Sequence, residues 1–371
     1  MQIVEVTSRR QLRQFVRFPD ELYRGCPQYV PALHSDQYKS LTKYPALKYC
    51  TRKMFLALDD KGRVAGRIQA VVNPRYNEYY GKKCCRFGYF DVVNDYDIAK
   101  ALVSAASAWA KSQGMTQIHG PLFYNTLGKQ GMVVEGFDSL PQFNNLYNYA
   151  YYPEFLERMG FVKECDWVQV RVEDKSLPQK MRDISSRLMQ RYKLHYGSVE
   201  ALSKDPVRVK NFMQMYSDGF AGRVYNFIPL TQEEMDDEAR STLSMLSDRF
   251  CNIVLDEKEE VVAFGINVPS ISRALQKARG RLFPFGWFHI LRALKGHTDT
   301  VDMVLVCSNP SWGGSGVSAM LHMDGATKFI EAGMRYAITN PQIETNPAVK
   351  IWDNYPHDDY IRRRCYIKDL D

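Results

Sequence analysis

The residues best equipped for chemistry lie in Val304-Leu305-Val306-Cys307-Ser308-Asn309-Pro310-Ser311-Trp312-Gly313-Gly314-Ser315-Gly316-Val317-Ser318. An apolar strand enters a tight glycine-rich turn and then a helix, so unhindered backbone N–H groups and a helix N-terminus converge on one point. Such a point binds phosphate. The competing reading is a loop whose glycines serve backbone angles alone. Cys307 offers a thiol, but its flanks supply no paired base, which favours a small buried residue over a nucleophile. The eight cysteines show no C-x-x-C pair and no matching histidine spacing, so reduced thiols are expected, with neither structural zinc nor a disulfide framework. His119, His195, His289 and His322 lack an i, i+4 pairing or a triad pattern and receive no metal or nucleophilic role.

The 371 residues, 45% of them apolar and 25% charged, fit two globular domains and exclude disorder over most of the length. No basic-then-apolar leader opens the sequence and no window is long and apolar enough to span a bilayer, so a cytoplasmic protein is expected. The net charge of +7 permits an anionic ligand or membrane surface but falls short of a dedicated nucleic-acid binder.

Several elements must position the loop. Met54–Leu58 and Val64–Val72 flank Asp59-Asp60-Lys61-Gly62-Arg63, the turn chemistry of a hairpin. A strand, Arg86–Val93, leads to a helix from about Asp95 to Gln113, which Gly114 ends. Tyr151–Phe161 reads as a short helix feeding a strand through Val172. The same order recurs after a polar linker: helices over 178–190, 205–219 and 231–246, a hairpin over 250–269 turning at Asp256-Glu257-Lys258-Glu259, and a strand Val301–Cys307. The loop follows, then a helix to about Ala332, a strand Arg335–Thr339, a helix near Asn346–Asn354 and a closing strand around Cys365–Ile367. This pattern predicts an α/β fold with mixed sheets, in tandem domains at 1–173 and 178–371.

Strand, loop and helix together resemble the acyl-coenzyme A motif of the GCN5-related N-acetyltransferase (GNAT) superfamily. Pro310 is present, and Gly313-Gly314-Ser315-Gly316-Val317-Ser318 occupies the six-residue pattern, with Gly313 in place of the usual Arg or Gln and Ser318 in place of the final small residue. The resemblance implies acetyl-CoA or another acyl-CoA held by the backbone of this loop, with pantetheine amides bound along Leu305, Val306 and Cys307. Thr339–Tyr355 resembles the second family motif, which would bring Asn346 to the pantetheine arm and Tyr355 to the thioester sulfur. A phenol there can protonate the departing thiolate; otherwise Tyr355 is a packed aromatic. Glu344 and Asp302 are candidate bases for the acceptor amine, set against the plainer reading of solvated strand-end carboxylates.

The first half resembles the same superfamily, but Asn94-Asp95-Tyr96-Asp97 puts carboxylates where a pyrophosphate should sit, so this copy is read as degenerate. Its irregular stretch Gly120–Asn148, with Lys129, Asn145 and Tyr147, either lines an acceptor cleft or covers the sheet edge. The activity implied is N-acyl transfer, most simply acetyl transfer, to a primary amine on a small molecule or peptide. A long-chain or lipid-related transferase and a catalytically silent ligand-binding protein are the alternatives. The lipid alternative rests on an insertion at about 270–297, where cations surround an aromatic run and carboxylates are absent; it is either a packed lid or a membrane-surface contact through 273–295. Oligomeric state stays open.

Overall fold

The computed structural model describes residues 1–173, 179–222, 224–243, 246–313 and 315–370. In chain order its principal elements are β1 (Gln2–Glu5), α1 (Arg9–Leu22), β2 (Thr51–Leu58), β3 (Val64–Val72), β4 (Cys84–Val92), α2 (Tyr96–Ser112), β5 (Gln117–Gly120), α3 (Tyr151–Arg158) and β6 (Val162–Val172). There follow α4 (Gln179–Tyr192), β7 (Asn252–Leu255), β8 (Val261–Pro269), α5 (Ser272–Ala278), α6 (Gly286–Leu294), β9 (Thr300–Ser308), α7 (Ser318–Glu331), β10 (Tyr336–Ile338) and β11 (His357–Asp369). These form two compact units: Met1–Val168 with Ser272–Ile290 and Tyr360–Asp371, and Gln169–Ile271 with Leu291–Asp359.

The first unit orders its strands β1-β2-β3-β4-β5-β11. Asp59 shapes the β2–β3 turn by accepting from the amides of Lys61 (2.9 Å) and Arg63 (2.8 Å). Beyond the antiparallel β3–β4 pair, β4 meets β5 in parallel only over Cys84–Arg86, and β11 pairs antiparallel with β5 from Tyr366 to Asp369. The α2 crossover buries Ile98, Leu102, Ala106 and Ala110, spaced four apart on one helical face. With Ile68, Phe87, Ile118 and Leu156 they make the core, each large apolar side chain contributing about 1.5–3 kcal/mol.

The second unit repeats the plan. Asp256 accepts from the amides of Lys258 (2.8 Å) and Glu260 (3.0 Å), the same side-chain device as Asp59, and so closes the β7–β8 hairpin. Strand β8 pairs antiparallel with β9, β9 pairs in parallel with β10, and β10 pairs antiparallel with Arg171 and Val172 of β6. Helix α7 returns the chain from β9 to β10 and buries Met320 and Leu321 against Val254, Val262 and Leu188. The mixed α/β class and the tandem arrangement read from the sequence are both present.

Three local features differ from expectation. The helix near Asn346–Asn354 is a 3-10 helix, Pro347–Asn354, with Pro347 at its first turn and the Asn346 side chain as its cap. The final strand runs over His357–Asp369, well beyond Cys365–Ile367. Its charges mask a strand pattern, yet they find partners there: Arg364 pairs with Asp166 at 2.8 Å and Arg362 with Glu135 at 3.2 Å. The insertion forms α5 and α6, and Ser272–Ile290 packs within the first unit.

Candidate functional site

The second unit opens its sheet at β9. On one side β9 is paired with β8 from Val301 to Ser308, with a register shift between Ile266 and Asn267 that leaves Val304 as the extra residue of a bulge. On the other side it pairs with β10 only at Thr300, Val301 and Asp302. Among the described residues no strand covers that edge from Met303 to Ser308, so alternate peptide N–H and C=O groups face an opening. Leu305, Val306 and Cys307 all lie on this stretch. Leu305 is half-buried, Val306 is exposed, and the Cys307 thiol is buried 2.8 Å from where a side chain at Gly219 would begin.

The loop after β9 folds more tightly than its glycines suggest. Pro310–Trp312 is a 3-10 turn started by Asn309, whose side chain accepts from the Ser311 amide at 3.0 Å. Gly313 N donates to Pro310 O and Ser315 N to Trp312 O, both at 3.1 Å, while Val317 N donates to the Ser315 hydroxyl at 3.3 Å. Three of the amides expected to meet an anion therefore already have acceptors inside the loop. The Gly316 amide finds none among the described residues, and Gly316 takes a left-handed φ of 86° that only glycine adopts without strain. Ser318 begins α7, and Gly314 lies outside the described residues. Helix α4 flanks the loop: Tyr192 meets Trp312 edge-on at 5.3 Å, and the Arg191 guanidinium lies 5.2 Å over the Tyr192 ring. That cation suits a nearby anion, and sequence reading missed it because α4 and the loop are distant in the chain.

Tyr355 and Trp352 are buried with Val170 and Val172, and Met303, the first residue of the open edge, packs against them. The motif thus brings Tyr355 beside β9. Asn346 is exposed and uses its side-chain oxygen to cap the 3-10 helix, accepting from Ala348 N at 2.9 Å. Glu344 is half-buried in the turn before it. His322 on α7 meets Trp352 edge-on at 5.3 Å, and burial pushes its imidazole down to about 4, which keeps it neutral. Only the fold gathers His322 into this cluster; four residues beyond Ser318, it carries no spacing signal.

Asp302 is the most unusual group. It sits fully buried at the last paired position before β9 parts from β10, and its carboxylate has no ion-pair partner among the described residues, the Ser270 hydroxyl being the polar group that acts on it. Burial pushes it up to about 7, with the Ser270 hydroxyl offsetting only part of that effect. A carboxyl poised near neutrality and left unpaired is a candidate for proton transfer.

In the first unit the equivalent helix start is closed. Asp95 caps α2, accepting from the amides of Asp97 (2.9 Å) and Ile98 (3.2 Å), so its carboxylate takes the donors an anion would need. The stretch Gly120–Asn148 is bonded both within itself and to its surroundings, with Ser272, Tyr360 and Arg363 donating to the carbonyls of Pro141, Leu140 and Leu146. Lys129 donates to Asn145 O at 3.2 Å, with burial pulling its amine down to about 8, and the Asn148 amide bridges Val133 N and O. His119, Glu164 and Cys365 gather donor atoms within 4.8 Å, a cluster no spacing rule foresees. Lys82, 3.6 Å from Glu164, and nearby Arg86 bring positive charge that opposes a dication there.

No family model matches the sequence. Protein YghO of Escherichia coli (strain K12) is 26% identical over 292 residues, covering 78% of this chain and 73% of the relative. A protein called bacterial ceramide synthase, from Caulobacter vibrioides, is 25% identical over 305 residues, covering 80% and 77%. Among solved structures, a tandem GNAT protein from the clavulanic acid biosynthesis pathway superposes with a TM-score of 0.59 at 13% identity, covering 100% of this chain and 98% of its own. This chain has the tandem GNAT fold. A GCN5-related glucosamine N-acetyltransferase region of a fungal multi-domain protein matches it with a TM-score of 0.61 at 11% identity, covering 99% of this chain, which spans only 38% of that protein. Within this tandem GNAT fold the open edge of β9 belongs to the second copy, while Asp95 occupies the helix start of the first. Among the described residues no helix is long and apolar enough to cross a membrane.

Proposed function

We propose that the chain is an N-acyltransferase that moves an acyl group from a coenzyme A thioester to a primary amine by direct attack, and that donor and acceptor are lipid-like. The observation that carries the transfer reading is the open edge of β9 from Met303 onward, next to buried Tyr355 and unpaired Asp302. The residues present fit an extended pantetheine arm along that edge. The diphosphate would rest on the Gly316 amide with Arg191 nearby. Acyl-CoA supplies an activated acyl carbon and a thiolate leaving group. Backbone N–H groups of β9 hydrogen-bond to the arm and stabilise negative charge on the reacting carbonyl oxygen. Asp302 accepts the proton that the amine loses, a role suited to a carboxyl near 7. Tyr355 donates its phenolic proton to the departing sulfur.

The lipid-like preference comes from the relative named bacterial ceramide synthase, which aligns with 80% of this chain. A ceramide is an N-acylated long-chain amine, so related chemistry here implies a long-chain acyl donor in place of the acetyl group. Calorimetry with acetyl-CoA, palmitoyl-CoA and free CoA, followed by turnover with sphinganine and with a short amine, tests both parts. Palmitoyl transfer to sphinganine is the expected outcome. Acetyl transfer confined to short amines would remove the lipid part, and failure to bind any of the three would remove the transferase reading.

A further inference from the structure

From residue 261 to 298 the chain contains no Asp or Glu, while Arg273, Lys277, Arg279 and Arg281 are all exposed. Immediately after them four large aromatic side chains stand in water: Phe283 is 78% exposed, Phe285 71%, Trp287 44% and Phe288 50%. Such a cluster on one short segment is far from ordinary surface composition. The segment is held firmly from behind within the first unit. Ala274, Leu275 and Ala278 of α5 are buried, Ser272 Oγ donates to Pro141 O at 2.9 Å, and Gln276 donates to Pro27 O (2.7 Å) and Tyr29 O (3.0 Å). His34 N donates to Gly280 O at 2.9 Å. The aromatic tips therefore project from a fixed platform. The Trp287 indole N–H already donates to Pro284 O at 2.9 Å, so the ring can leave water without stranding a donor.

We infer that Arg273–Phe288 docks the protein onto an anionic phospholipid bilayer. Phe283, Phe285, Trp287 and Phe288 enter the boundary between headgroups and acyl chains, and Arg273, Lys277, Arg279 and Arg281 lie against lipid phosphates. Aromatic residues with a basic rim are the composition that suits this interface. Charge also selects this occupant over a second copy of the chain, because four exposed cations on a segment with no carboxylate of its own, and with Asp20 already bonded to the His34 ring beside Gly280, would face the same four across a two-fold axis. The inference stands apart from the transferase reading and uses no turnover.

Co-sedimentation of the full chain with phosphatidylcholine vesicles, with and without phosphatidylglycerol, provides the test. The chain pellets with the anionic vesicles at least tenfold more strongly than with the neutral ones, and high salt releases it. Replacing all four aromatics by Ser lowers anionic-vesicle binding at least tenfold with the thermal midpoint unchanged, since these side chains are exposed. R273Q/K277Q/R279Q/R281Q removes the preference for phosphatidylglycerol. The proposal is overturned if the parent stays in the supernatant with both vesicles, if the aromatic variant pellets like the parent, or if light scattering finds a dimer that the aromatic substitutions dissolve while no vesicle binds.

Discussion

Replacing Asp302 by Asn keeps the shape of the side chain and removes its ionisation. The folded state holds this carboxyl at about 7 against an ordinary value of 3.8, so between those pH values it retains a proton that the unfolded chain releases. Stability therefore falls as pH rises from about 4 towards 7 and stays low above it. With the group fully buried, the whole effect amounts to about 4 kcal/mol. Urea unfolding of parent and Asp302→Asn, read by tryptophan fluorescence at pH 4.5 and pH 8, should show the difference between them move in the variant's favour by most of that amount. The same variant should lose the limb of the pH–rate profile near 7, with kcat lower by about 100-fold if Asp302 takes the proton. Parallel stability curves across this range would show that Asp302 ionises freely, and would refute the assignment of the base along with it.

Tyr355→Phe should reduce kcat by about 100-fold with little change in KM if the phenol protonates sulfur; turnover at the parent rate would leave Tyr355 a packing residue. Gly316→Val forces a β-branched residue to φ 86°, costing more than about 1 kcal/mol, and should abolish coenzyme A binding by calorimetry. Unchanged affinity would move the diphosphate elsewhere. In the first unit, Asp91→Ala strands the buried Arg67 guanidinium now 2.7 Å from the carboxylate, and denaturant unfolding should report a loss of about 3–5 kcal/mol. His322, held neutral down to about 4, makes the fold lose stability as pH falls from 6.5; His322→Gln should flatten that acid limb in a thermal scan.

Local chemistry in the sequence determined much of this protein. Asp59 and Asp256 each mark a hairpin turn by the same side-chain bonds, Asp95 starts a helix that Gly114 stops, and the run from Val304 through Gly316 specifies strand, turn and helix in order. These features depend on neighbours within a few residues, so they survive reading in one dimension and suffice to indicate the tandem plan. Tertiary structure alone decided which backbone groups are open. Whether the amides of Gly313, Ser315 and Val317 meet an anion or one another depends on how the turn closes. The free edge of β9 exists because β10 pairs with only three of its residues. Asp302 becomes unusual only when the sheet removes its water, His322 joins the site by packing on Trp352, and Arg191 is brought to the loop by its neighbour Tyr192, which meets the distant Trp312. Solvent exclusion and strand register come from the assembled sheet, and they set both proton affinity and binding geometry.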